Sequence, residues 1–427
     1  MKLNEVKNLI NSGSFDAKFI ELYDSNSVAF QRCRYLVALD NFASLYGENR
    51  DVNLYSVAGR SELAGNHTDH NRGKVIASSI NLDIIAIAAS NGTNVINLKS
   101  DGFRQINLDY TKYNQPNERH FGTSASIIAG MCHGFIENGH EIGGFDAYLT
   151  SSVLRGSGLS SSAAFEDMIG NILNHEFNGG KISNIEISQL AQYAENVFFG
   201  KPCGLMDQVA CAHGGIVSID FENLKNPKIE SLDFDLTKAG YNLCIVDTGG
   251  NHADLTDDYA SVPSEMKAVA SLFGKGVLRE CEKVEIISHA REIREKCGDR
   301  AFMRAIHFLN ENERVDDMKN ALKNGDLNTY FEGVLASGKS SFCYLQNVYT
   351  TKNIAEQGLS LALCLTEDFM RNKDGAFRVH GGGFAGTIQA YIKESDVSSY
   401  RALMDSVFGD GACLVLRVRK DGAIKVN

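Results

Sequence analysis

The chain has 427 residues, 43% of them hydrophobic, and Lys+Arg 42 against Asp+Glu 53 leave a formal net charge of -11. That acidic balance disfavours a general binder of nucleic acid or anionic membrane, so an anionic ligand must be held by local groups. The opening Met1-Lys-Leu-Asn-Glu-Val-Lys7 lacks an apolar signal core and the run from Ile84 to Ala89 is far too short to cross a bilayer, which predicts a cytoplasmic protein.

Val6, Leu9 and Ile10 predict an amphipathic helix at the start, and residues 29–46 predict a second. A strand over residues 52–58 then enters a segment crowded with polar side chains, Ala58-Gly-Arg-Ser-Glu-Leu-Ala-Gly-Asn-His-Thr-Asp-His-Asn71, which reads as a turn-rich loop. Residues 75–89, rich in Ile and Ala, predict one or two buried strands. Arg155-Gly-Ser-Gly-Leu-Ser-Ser-Ser-Ala-Ala164 runs into a helical pattern over 165–177, carried by Phe165, Met168, Ile169, Ile172, Leu173 and Phe177. A helix over 183–199 stops at Gly200, just before Cys203-Gly-Leu-Met-Asp-Gln208.

Strands are predicted at 216–221 and 241–247, long helices between 259 and 363, and a closing strand, helix and strand at 376–379, 395–407 and 412–418. With only four prolines there is no linker, and the change of pattern puts a domain boundary near residue 215, dividing 1–215 from 216–427. The ten cysteines are scattered in apolar segments and predict free thiols. Cys203, Cys211 and His213 cluster, but without a Cys-x-x-Cys pair buried thiols are favoured over a zinc site.

The glycine and serine loop suits a phosphate. Gly156 and Gly158 allow positive φ and close backbone approach, and the helix start offers unpaired N–H groups and a positive dipole end. Ser160, Ser161 and Ser162 add hydroxyls for phosphate or Mg²⁺. The same residues fit a serine-capped helix after a flexible turn, and the segment alone does not choose. A competing match, Gly333-Val-Leu-Ala-Ser-Gly-Lys-Ser340, satisfies the P-loop expression, yet Leu327, Phe331, Val334, Leu335, Phe342 and Leu345 carry a helical stripe through it where a P-loop needs a strand and an open turn.

Four motifs, Gly59-Arg-Ser-Glu-Leu-Ala-Gly-Asn-His-Thr-Asp-His70, Gly158-Leu-Ser-Ser-Ser-Ala163, Cys203-Gly-Leu-Met-Asp-Gln208 and His380-Gly-Gly-Gly-Phe-Ala-Gly386, occur in this order. Together they resemble the galactokinase branch of the small-molecule kinases named for galacto-, homoserine, mevalonate and phosphomevalonate kinases (GHMP kinases). The resemblance implies an α/β (α+β) fold of two domains, a ribosomal-protein-S5-like N-terminal one and a ferredoxin-like C-terminal one, with the active site between them. It implies ATP and Mg²⁺, and transfer of the γ-phosphate to the anomeric C1 hydroxyl of a galactose-type sugar. Asp207 is then the catalytic carboxylate and Arg60 its partner facing the transferring group. Gly156, Ser157, Gly158, Leu159, Ser160, Ser161 and Ser162 bind the nucleotide, and Ser162 and Glu195 hold the metal. Asn66, His67, Asp69, Gly204 and Tyr259 meet the sugar, and Gly381, Gly382 and Gly383 form a supporting loop.

The chain departs from that pattern with Asn66 in place of a glutamate, Glu62 in place of an asparagine, His70 in place of a tyrosine and Ala385 in place of a glycine. An amide at 66 can still bind a sugar hydroxyl, and it would also relieve repulsion toward a carboxylate at C6, so galactose and galacturonate both remain open, as does another hexose or hexuronate. A silent sugar sensor is a further alternative, against which the retained Arg60 and Asp207 weigh. The partner expected is a small sugar, with no nucleic acid and no membrane; the oligomeric state is left open, a monomer being plausible.

Overall fold

A computed structural model describes residues 1–113, 115–153, 158–201, 203–250 and 255–427. Its strands are β1 (Asn53–Ala64), β2 (Lys74–Ser90), β3 (Val95–Ser100), β4 (Ile106–Asp109), β5 (Phe145–Ser151), β6 (Ile216–Asp220), β7 (Lys228–Leu232), β8 (Tyr241–Asp247), β9 (Ala376–Val379), β10 (Thr387–Lys393), β11 (Cys413–Leu416) and β12 (Ala423–Lys425). The larger sheet runs β12-β1-β2-β5-β3-β4, with β6 paired to the first half of β2 and β7 outside it. The smaller, antiparallel sheet runs β11-β8-β10-β9.

The apolar run in β2 follows from burial on both faces, where successive side chains point oppositely. Ile84, Ala86 and Ala88 pack with Ile128, Met168, Ile169, Ile172 and Ile187, from the helices Ser124–Glu137, Ser161–Phe177 and Asn184–Tyr193. Ile85, Ile87 and Ala89 face the other way, against Phe19, Tyr35, Leu39 and Phe42 of the N-terminal helices. Residues 74–90 are accordingly one long strand. No helix among the described residues is long and apolar enough to cross a membrane.

One expectation is corrected. β1 does not end at Ala58 but continues to Ala64, so Arg60 and Glu62 stand on a strand rather than in a loop. β6 and β7 still belong to the larger sheet, and β12 returns to it beside β1. The segment 333–340 lies in the helix Leu327–Ser340, as its periodicity predicted, with Lys339 exposed. A Cβ on Gly338 would come within 2.9 Å of Arg378 Cβ, so that glycine permits close packing of helix on sheet.

A candidate active site between the two sheets

β1 carries Arg60 and Glu62 between two register shifts against β2, at Ala58/Arg60 and Glu62/Ala64. Such irregularities re-aim side chains, and here Arg60 reaches the first turn of the helix Met206–His213. Its Nε and Nη2 donate to Asp207 Oδ1 and Oδ2, both at 2.8 Å. Its Nη1 donates to the Gly158 carbonyl, and its amide donates to Leu159 O at 3.1 Å. Ser160, held at φ 58°, occupies the N-cap position of the helix Ser161–Phe177 and, rather than capping it, donates its hydroxyl to Asp207 Oδ2 at 2.5 Å.

The Asp207 side chain remains 35% exposed to the cleft. Burial pushes its carboxyl up, but the Arg60 guanidinium and the Ser160 hydroxyl prevail and hold it below the ordinary aspartate value. A carboxylate ionised at neutral pH, fixed by a bidentate arginine and still open on one side, can orient a hydroxyl and take its proton.

Gly158 has φ 71°, and the helix that begins at Ser161 leaves the N–H groups of its first turn without intrahelical partners. Ser162 is exposed on the cleft wall. Gly156 and Ser157 lie outside the described residues. At Gly158 a side chain would meet both the left-handed backbone and His380 Nδ1, 3.3 Å from the Cβ position. Gly158→Val is therefore expected to weaken ATP binding about tenfold, from a strain of roughly 1–2 kcal/mol. Lys339→Ala should leave the KM for ATP within about twofold; steady-state kinetics on the two variants separate the loop from the competing match.

Glu195 sits in a π-helical turn, Ala194–Phe199, that interrupts the predicted helix before Gly200. Its Oε1 pairs with Lys201 Nζ at 3.2 Å and its Oε2 accepts from Gln208 Nε2 at 3.1 Å. The same Gln208 nitrogen donates to Glu166 Oε2 at 3.0 Å, while Gln208 Oε1 is buried without a partner. Hard oxygens of Ser162 and Glu195 on one wall, with an unsatisfied amide oxygen behind them, fit Mg²⁺, which takes one or two protein ligands and completes its shell with phosphate and water.

Burial, then the neighbouring Glu195, pushes Glu166 up to about 8. The folded protein holds that proton while the unfolded chain releases it near the ordinary glutamate value. The stability Glu166 contributes is thus present at low pH and lost as pH rises toward 8. Glu166→Gln should flatten the fall in denaturation midpoint between pH 6 and 8; an unchanged slope would place the titration elsewhere.

The sugar-reading candidates divide. His67 and Asp69 line the cleft with Gly204, Gly381 and Gly382. His67, at φ 57°, donates from Nε2 to Gly382 O at 2.8 Å, and burial pushes its imidazole down to about 4, so it stays neutral. A Cβ on Gly204 would fall 2.4 Å from Asp69 Oδ2, so glycine lets the two loops meet.

Asn66 and Tyr259, expected to contact the sugar, both bond the glycine loop that bounds the cleft. Asn66 is fully buried. Its amide donates to Gly381 O at 2.7 Å and Glu62 Oε1 at 3.2 Å, and its oxygen accepts from Asn347 at 2.9 Å and Ser341 at 3.2 Å. Tyr259 donates to Gly383 O at 2.7 Å. The carbonyls of Gly381, Gly382 and Gly383 are thus tied down in turn by Asn66, His67 and Tyr259. Glu62, paired with Arg378 at 2.7 Å, faces the cleft where Asn66 does not. The sequence alone gave no role to Arg378 or Glu166, whose partners Glu62 and Gln208 lie on distant segments, nor to Lys201 and Gln208, which meet on Glu195.

Residues 125–215 match the family described as GHMP kinases N terminal domain, and residues 40–90 match the galactokinase galactose-binding signature. The galactokinase of Clostridium tetani is 30% identical over 373 residues, 84% of this chain and 88% of that protein. The galactokinase of Streptomyces coelicolor is 28% identical over 387 residues, covering 89% and 94%. In fold, the Lactococcus lactis galactokinase solved with galactose superposes with a TM-score of 0.77 at 23% identity, covering 92% of this chain and 100% of that one. A mevalonate kinase gives a TM-score of 0.61 at 15% identity over 86% and 99% of the two chains. With the bidentate Arg60–Asp207 pair beside the start of the helix Ser161–Phe177, these likenesses place the chain in the galactokinase family of the GHMP kinases, as a phosphotransferase.

Proposed function

We propose that the protein is a cytoplasmic galactokinase that transfers the γ-phosphoryl group of ATP to the anomeric C1 hydroxyl of galactose, giving galactose 1-phosphate and ADP, with Mg²⁺ as the accompanying ion. The reading rests above all on Asp207, held ionised by Arg60 and Ser160 yet open to the cleft next to the glycine and serine loop. In-line phosphoryl transfer asks the protein for positioning and charge neutralisation more than covalent chemistry. Asp207 orients the C1 hydroxyl and receives its proton, and Arg60 faces the transferring group. Gly158, Leu159, Ser160, Ser161 and Ser162 present the phosphates, and Ser162 and Glu195 would hold the metal, which would supply charge neutralisation to the phosphates when bound. His67, Asp69 and Gly204 bound the acceptor, and Gly381, Gly382 and Gly383 shape the far wall.

The charges lining the cleft favour a neutral acceptor. Among the described residues the carboxylates there are Glu62, Asp69, Glu195 and Asp207, and the Lys and Arg side chains are Arg60 and Lys201, already paired with Asp207 and Glu195. A hexuronate would bring its own carboxylate against Asp69 with no spare cation to meet it, Glu62 being already paired with Arg378. ADP release across a panel of hexoses and hexuronic acids tests the choice. Galactose should lead, with galacturonate at least about tenfold lower in kcat/KM, roughly 1.4 kcal/mol. Preference for galacturonate would overturn the sugar, and no turnover with any sugar would point to the sensor.

A further inference from the structure

Lys201 follows Gly200, whose φ of 80° ends the π-helical turn, and its amide donates back to the Glu195 carbonyl at 3.1 Å. That reversal lays the lysine side chain over Glu195, with Nζ 3.2 Å from Oε1. The two partners differ in freedom. The Glu195 side chain is 5% exposed, whereas that of Lys201 is 62% exposed on the cleft wall with Ser162 and Asp207. Arg60, the other cation there, is committed through three donors to Asp207 and the Gly158 carbonyl. Lys201 has one partner and a flexible four-carbon stem, so it is the lining cation able to move.

A divalent cation on Glu195 would supply the charge that Lys201 supplies there, and would repel the ammonium at the same time. The polyphosphate that accompanies the metal would enter the cleft that Lys201 lines with Ser162. We propose that Lys201 is a phosphate-binding residue that exchanges partners, bonded to Glu195 until a divalent cation takes Glu195 and then passing to the nucleotide's phosphate oxygens. The inference rests on the reading of Glu195 as a metal ligand. It makes Glu195 and Lys201 a coupled pair, in which occupation of Glu195 by the metal would free the lysine for the phosphates.

The test is equilibrium binding of ATP by calorimetry, without sugar and so without turnover, in Mg²⁺ and in EDTA, on the wild type, Lys201→Met, Glu195→Gln and the double variant. Lys201→Met should weaken binding about tenfold in Mg²⁺ and change it less than about twofold in EDTA, where the lysine is held by Glu195. Glu195→Gln releases the lysine without a metal, so in EDTA it should bind ATP more tightly than the wild type while losing the gain from Mg²⁺. The double variant should lose that tightening. If Glu195→Gln behaves so and Lys201→Met binds ATP in Mg²⁺ like the wild type, the lysine's role is overturned and the metal reading stands. If Glu195→Gln keeps the full gain from Mg²⁺, Glu195 is not the metal ligand and the exchange falls with it. A double variant binding in EDTA as tightly as Glu195→Gln also overturns the exchange.

Discussion

Asp207→Asn is expected to lower kcat by about 10²–10⁴-fold with ATP and galactose, while the Kd for galactose changes little. The substitution is nearly isosteric, and the amide oxygen can still accept from Arg60 or Ser160. What it removes is the negative charge that Arg60 and Ser160 stabilise and that takes the proton of the C1 hydroxyl. Because the Asp207 carboxyl is held below its ordinary value, the wild-type rate should not fall on the acid side until the pH drops below the ordinary aspartate range. Single-turnover and binding measurements on the variant separate chemistry from affinity, and a variant that keeps near wild-type turnover removes Asp207 from the mechanism.

Asp83→Ala is expected to cost about 3–5 kcal/mol of stability, read as a lower urea midpoint at neutral pH. Asp83 is fully buried at a bend in β2, where it joins the N-terminal helices to the end of the chain. Its Oδ1 accepts from Arg34 at 2.6 Å, and its Oδ2 from Tyr23 at 2.6 Å, from Arg419 at 3.1 Å and from Ser56. Removing the carboxylate leaves two guanidinium groups in the interior without their counter-charge. Burial pushes Asp83 up, but Arg34 and Arg419 hold it below its ordinary value. Its contribution is therefore complete above the unfolded aspartate pKa and is lost as pH falls through the lower folded one. A midpoint within about 1 kcal/mol of the wild type would mean that the network is dispensable.

The parts of the site that the sequence made legible are those carried by consecutive residues. Gly158 to Ser162 and Cys203 to Gln208 hold their glycines, hydroxyls and carboxylate within one turn of chain, so local chemistry announces them. Arg60 and Glu62 were harder, because charged residues on a strand look like loop until their partners, Asp207 and Arg378, are known to stand opposite. The bonding of Asn66 was hidden for a related reason. Its motif position says which loop it occupies but not which way its amide points, and the glycine carbonyl it serves is 315 residues away. That β6 and β12 join the larger sheet was not legible, because they pair with strands early in the sequence, which no change of local pattern records.

The most direct test of the account is the position of the phosphate in the product. Proton and phosphorus NMR of a reaction containing galactose, ATP and Mg²⁺ should show phosphorus coupled to the anomeric proton of galactose, with one ADP formed for each C1-phosphorylated sugar. The account is contradicted by phosphorus coupled to the C6 protons instead, or by ADP formed with no sugar phosphate at all.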